Sequence, residues 1–194
     1  IAAAGSDLPV LDVVRQPRVA ILGTGDELVP PGEAAATAHA IPQSVSFGIG
    51  ALVEEWGGVL GTVAGVRDDP ALITVAAREA LADADVLVLT GGASVGEKDF
   101  AKPALAELGL QLVFSKVRIR PGKPVWMGRI GAAIVVGLPG NPTSALVTAR
   151  LFLAPLLAGP QQALDALVDP RVGRLRRRRR RDHCEQKQRE GVGE

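Results

Sequence analysis

Residues able to do chemistry gather in five short stretches of this chain. The richest is LVLTGGASVGEKDF, Leu87 to Phe100. Its glycines Gly91, Gly92 and Gly96 let a backbone approach a ligand where any Cβ would collide, and they tolerate positive φ. Thr90 and Ser94 add hydroxyls, Lys98 a cation, and Glu97 and Asp99 carboxylates, a set that serves an anion and a metal together. In GTGDEL, Gly23 to Leu28, Asp26 and Glu27 stand side by side as oxygen ligands suited to Mg²⁺. Leu28 occupies the third glycine position of a dinucleotide fingerprint, which argues against that reading. RDD, Arg67 to Asp69, supplies one aspartate for a helix cap and leaves the other for a ligand.

The fourth stretch is KVRIRPGKP, Lys116 to Pro124. On a strand, the period of two would send Lys116, Arg118 and Arg120 to one face, with Lys123 following across a Pro-Gly turn. Charge-assisted hydrogen bonds contribute roughly 1.5 to 3 kcal/mol each, against about 0.3 to 1 kcal/mol for a helix N-terminus, so these cations are expected to dominate anion affinity. The fifth stretch, GLPGNPTSAL from Gly137 to Leu146, starts a helix at Pro142 or Thr143. Free N–H groups and the Thr143 and Ser144 hydroxyls there suit an oxyanion, while Asn141 is a natural cap. No GxxxxGK[ST] loop is present, and His39 and His183 have no zinc spacing. The chemistry therefore falls to carboxylates, cations, backbone amides and a metal.

These stretches need elements to hold them. RVAILGTG and DVLVLTGG are compact apolar runs stopped by glycine, the pattern of buried strands, and VLGTVAGV is a further strand candidate. Helices are predicted from Val45 to Trp56, from Pro70 to about Ala82, from about Ala101 to Leu108, and from Pro142 to Ala158. LVFSKVRI reads as a further strand, and VWMGRI with AAIVVGL as a hairpin around Gly131. Alternating strands and helices predict a three-layer α/β/α domain with a mostly parallel sheet. Ligands bind such sheets beyond the carboxyl ends of the strands, and four of the five stretches follow predicted strands, which puts them on one rim.

Residues 1–17, with a short extended piece at LDVV, form a lead-in; 18–158 form the α/β domain; 159–194 form a basic tail expected to be disordered. Residues 1–169 carry 12 Lys and Arg against 17 Asp and Glu, a balance of −5, whereas residues 170–194 carry 10 against 4, a balance of +6. General nucleic-acid affinity would have to come from Arg174 and Arg176 to Arg181, and would be salt-sensitive and sequence-independent. No membrane span is read and nucleic acid is not an expected partner. A single cysteine, Cys184, excludes an internal disulfide framework and fits a reducing, cytoplasmic setting. The chain begins at Ile1 without an initiator methionine, as either a piece of a longer product or a trimmed chain would.

Taken in order, TGDEL, RDDP, TGGASVGEKDF, the KxxxRPGKP arrangement and GLPGNPTSAL resemble the central domain of MoeA-type molybdopterin molybdotransferases, also found in the E domain of gephyrin. The resemblance runs from about Arg18 to Ala158. It implies insertion of molybdate into adenylated molybdopterin with release of AMP, assisted by Mg²⁺, on a fold shared with the molybdopterin adenylyltransferases. It further implies Glu27, Asp68 and Asp99 as catalytic carboxylates and metal ligands. Thr90, Gly91, Gly92, Ser94 and Gly96 would embrace the pterin phosphate, and Lys116, Arg120 and Lys123 would bind anions. Pro139, Asn141, Pro142 and Ser144 would shape an oxyanion pocket. The implied partners are adenylated molybdopterin and molybdate, and a homo-oligomer is admitted. Gln43 and Val45 depart from the acidic residue and Asn of the family pattern. Two alternatives share the fold: an adenylyltransferase, whose glycine loop usually reads TGGTG, and a non-catalytic molybdopterin-binding fragment.

Overall fold

A computed structural model describes residues 5–7, 10, 15–91 and 100–159. The tail, the LDVV piece and residues 92–99 lie outside that set. Contacts divide the chain into Ile1–Ala158 and Gly159–Glu194, and the fold below is that of the first unit.

β1 (Arg18–Thr24), β4 (Val59–Val66), β5 (Val86–Thr90) and β8 (Ala133–Leu138) form the parallel part of a six-stranded sheet, ordered β4-β1-β5-β8-β7-β6. β7 (Trp126–Ile130) pairs antiparallel with β8 and with β6 (Gln111–Phe114). All five residues of β5 are buried, as are six of the seven in β1, because helices cover both sheet faces. Side chains alternate between those faces. Ala20, Leu22, Leu87, Leu89 and Val135 join the core cluster beneath α2 (Pro70–Leu81) and α3 (Ala101–Ala106). Their strand neighbours Val19, Ile21, Val86 and Val88 are equally buried and point the opposite way. α1 (Val45–Glu55) packs on β1 and β4 and against α4 (Pro142–Thr148), forming the second helical layer. Each such fully buried Val, Leu or Ile contributes about 1.5 to 3 kcal/mol. The three-layer α/β architecture expected from the alternation is the one observed.

Caps set the helix starts. Asp69 accepts from Ala71 N (2.8 Å) and Leu72 N (3.2 Å) and begins α2, with Pro70 in its first turn. Asn141 accepts from Ser144 N (3.1 Å) and begins α4. The hairpin between β7 and β8 turns at Gly131, with φ +57°. Within it Trp126, fully buried, lies opposite Gly137, where an added Cβ would stand 1.9 Å from the indole. Only glycine fits there.

Several expectations need correcting. α3 stops at Ala106 rather than Leu108. The last helix is not uniform: α4 gives way to a π-helical stretch, Ala149–Leu153, before α5 (Ala154–Ala158). Thr148 immediately precedes that stretch, and its hydroxyl donates to Ser144 O (2.7 Å) and Ala145 O (3.1 Å), competing with the regular helical ladder. The largest difference concerns LVFSKVRI. β6 ends at Phe114, opposite Met127, and β7 begins one residue before that, at Trp126. Beyond it stand Pro124 and a turn, so no strand remains for Lys116 to Arg120 to pair with, and proline could not supply the missing N–H. The segment instead loops back, with Val117 N donating to Lys123 O (3.2 Å) and a cis peptide at Arg120–Pro121. Among the described residues, no helix is long and apolar enough to cross a membrane.

Candidate functional site

Three backbone turns meet at the carboxyl end of the sheet. Thr24 closes β1 and Thr90 closes β5; both are buried, and Thr24 Oγ1 donates to Thr90 O at 3.5 Å. A Cβ on Gly91, where φ is +88°, would stand 2.2 Å from Thr24 O. A Cβ on Gly140, just after β8, would be 3.3 Å from Gly91 Cα. Above this floor opens a cavity of about 560 Å³, well within the range of small-molecule sites.

Glu27 and Asp68 line the cavity from the loops after β1 and β4. The two loops are stitched by Asp26, whose Oδ1 accepts from Arg67 Nε (3.2 Å) and Asp68 N (3.3 Å). With Asp69 spent on its cap, Asp68 is the aspartate of RDD that faces the cavity. Pro139, Asn141, Pro142 and Ser144 line the β8 side, and Thr90 and Gly91 lie between. Eight of the residues named from the sequence thus share one cavity. Gly92, Ser94, Gly96 and Asp99 lie outside the described residues.

The cations are placed differently. Lys116, Arg120 and Lys123 are exposed and do not line the cavity, although Pro124, next in sequence to Lys123, does. Exposure still alternates, with Val117 and Ile119 half-buried between exposed Lys116, Arg118 and Arg120, so the inward and outward positions were right and the element was not. Buried Gly122, with φ +107°, anchors the loop where an added Cβ would stand 2.3 Å from Thr148 Cγ2. The oxyanion expectation at the start of α4 also changes. Ser144 N is bound by the Asn141 side chain, Ala145 N by Asn141 O, and Pro142 has no N–H to give. Thr143 N–H is the one left over in that turn among the described residues, so the backbone there behaves as an ordinary cap.

Sequence reasoning did not name Thr24, Ile41, Pro42, Ser44 and Pro124 as lining residues, and it named Gln43 and Val45 only as departures from the family pattern; all seven line the cavity. The short parallel pair β2 (Leu28–Val29) and β3 (Ile41–Pro42) carries the chain over the cavity before α1. Two residues per strand are too few for a periodic signal. Two oxygen ligands, Glu27 and Asp68, suit a hard cation that takes one or two carboxylates and completes its shell from water and phosphate. Among the described residues no group of three or more His, Cys, Asp or Glu forms a metal cluster.

The layered fold, with a cavity at the carboxyl ends of its parallel strands, defines an α/β ligand-binding domain of the doubly covered type. A family model described as a probable molybdopterin binding domain matches residues 20–159, and the chain belongs to that family. It is 37% identical over 163 residues to the molybdopterin molybdenumtransferase of Nostoc sp., covering 79% of this chain and 36% of that protein. Against the Haemophilus influenzae protein of the same name it is 39% identical over 144 residues, covering 74% and 35%. The crystal structure of a molybdopterin biosynthesis MoeA protein from Pyrococcus horikoshii superposes with a TM-score of 0.66 at 33% identity, over 74% of this chain and 35% of that one. A molybdenum cofactor biosynthesis protein B matches at a TM-score of 0.61 and 18% identity over 79% of this chain and 99% of that one, which shows a shared fold. The chain spans little more than a third of the length of these two curated relatives.

Proposed function

We propose that the chain works in molybdenum cofactor assembly, binding adenylated molybdopterin and molybdate for molybdenum insertion with release of AMP. The observation that carries this reading is the convergence of Glu27 and Asp68 with Thr90, Gly91, Asn141 and Ser144 on one cavity. Crowded carboxylates would repel an anionic ligand unless a cation bridged them. Glu27 and Asp68, with Asp99 as a third candidate, would hold Mg²⁺, which supplies Lewis acidity and offsets that repulsion. The glycine floor brings backbone close to a phosphate, and exposed Lys116, Arg120 and Lys123 would draw the anion in from solvent. Incubating the chain with adenylated molybdopterin, Mg²⁺ and molybdate and following AMP tests the proposal; no AMP above the protein-free control rejects turnover by this chain.

A second reading is a molybdopterin-binding fragment without turnover. It is favoured by the cations lying off the cavity wall. Retention of the adenylated ligand with no AMP on adding molybdate selects it. A cytoplasmic location belongs to the same proposal.

A further inference from the structure

Two glycines cut a notch that holds the amide of Gln43. Gly23, near the end of β1, and Gly65, near the end of β4, are register partners. A Cβ on Gly23 would stand 2.8 Å from Gln43 Nε2, and one on Gly65 would stand 2.9 Å from Gln43 Oε1. The amide therefore spans both strand ends where neither strand has a side chain. Its nitrogen donates to Ala64 O (3.3 Å) and to Ser46 Oγ (3.1 Å), and Ser46 is fully buried. A backbone carbonyl can only accept, so the contact with Ala64 O decides which end of the amide is nitrogen. Both N–H groups are turned into the protein. The acceptor Oε1 is what the amide has left to give, and among the described residues no donor takes it. Gln43 itself lines the cavity.

We propose that Gln43 is a specificity-determining residue of this cavity, its Oε1 accepting a hydrogen bond from the amino-substituted edge of the bound heterocycle. The inference rests on the molybdopterin reading above. An acceptor oxygen repels phosphate and other anions, whereas the amino and ring N–H groups on the pyrimidine half of a pterin are neutral donors that match it. Position adds a direction. Gln43 sits over β4 and β1, while Asn141 and Ser144 follow β8, two places along the sheet from β1, a separation of about 10 Å at one strand spacing per place. The heterocycle would lie toward β1 and β4, with its anionic end toward the Gly91 turn and the Ser144 hydroxyl.

The test compares two fluorescent probes, 6-hydroxymethylpterin phosphate and the matching lumazine, in which a carbonyl replaces the 2-amino group. The wild-type chain should bind the pterin about tenfold more tightly, the worth of one well-made hydrogen bond. Gln43→Met should bring the ratio close to one. Gly65→Ala should do the same while keeping the glutamine, because the added methyl meets the far end of a flexible side chain and not backbone. The double variant should lose nothing further, and thermal unfolding verifies that each variant is folded. A ratio unchanged in folded Gln43→Met or Gly65→Ala overturns the role of Gln43 and leaves the site reading standing. A wild-type chain that binds neither probe overturns the site reading, and this inference with it.

Discussion

Gly91 and Thr24 meet backbone to backbone, with room at Gly91 for a hydrogen and nothing larger. An added Cβ would lie 2.2 Å from the Thr24 carbonyl oxygen, on a residue whose φ is +88°. Since the clashing atom is main chain, no rotamer can relieve it. Gly91→Ala should lower stability by about 2 to 4 kcal/mol, the sum of left-handed strain and overpacking. Urea unfolding measures it, and ligand affinity should fall even where the variant is fully folded.

The adjacent aspartates of RDD should separate cleanly. Asp69→Ala removes the cap of α2 and should cost about 1 kcal/mol, with the Mg²⁺ dependence of AMP release unchanged. Asp68→Asn should raise the Mg²⁺ requirement of AMP release about tenfold or more. Equal Mg²⁺ dependence of the two variants would contradict the division of labour between them.

Lys116, Arg120 and Lys123 appear in none of the ion pairs found among the described residues. Replacing all three by Gln should therefore shift stability by no more than about 0.5 kcal/mol. It should also flatten the salt dependence of ligand association, which stopped-flow mixing at several ionic strengths would read.

Asp85 ties the lead-in to the sheet. Its carboxylate takes Arg15 Nη1 (2.6 Å), Arg15 Nη2 (2.5 Å) and Arg18 N (2.8 Å). Burial pushes this carboxyl up, but the Arg15 and Arg18 hydrogen bonds and charges together outweigh it and hold the group below its ordinary value. A depressed carboxylate stabilises the fold fully above its unfolded pKa of about 3.9, and that contribution disappears as pH falls through the lower folded value. Wild-type stability should drop through this window more steeply than that of Asp85→Asn, as denaturant midpoints taken from pH 5 to pH 2 would show.

What could be read from the sequence follows from the physics of each element. β1 and β5 were legible because buried parallel strands are apolar runs punctuated by glycine, edge strand β4 because its residues still run apolar between glycines although most are exposed, and α2 because Asp69 and Pro70 announce it. The carboxylates Glu27 and Asp68 could be placed on a rim because strand polarity alone fixes where loops after strands lie. Lys116 to Arg120 misled because alternation of exposure is necessary for a strand but a pairing partner is also required, and the partner is a tertiary fact. Gln43 stood out only as a departure from the family pattern, and its seat was invisible for a related reason: the notch is made by Gly23 and Gly65, 42 residues apart and joined only by register.

The contact between Trp126 and Gly137 works as a gauge along the chain. If β7 slid by one residue against β8, the indole would come down on Val136 or Leu138, where a side chain already fills the space it needs, and every alternate residue would turn to the wrong layer. Because β8 runs straight into Pro139 and Asn141, the ring measures how much polypeptide has been used when the chain reaches the cavity, and a miscount of one would carry that corner about 3.3 Å out of place. A side chain deep in the core thus sets the address of residues that face the ligand.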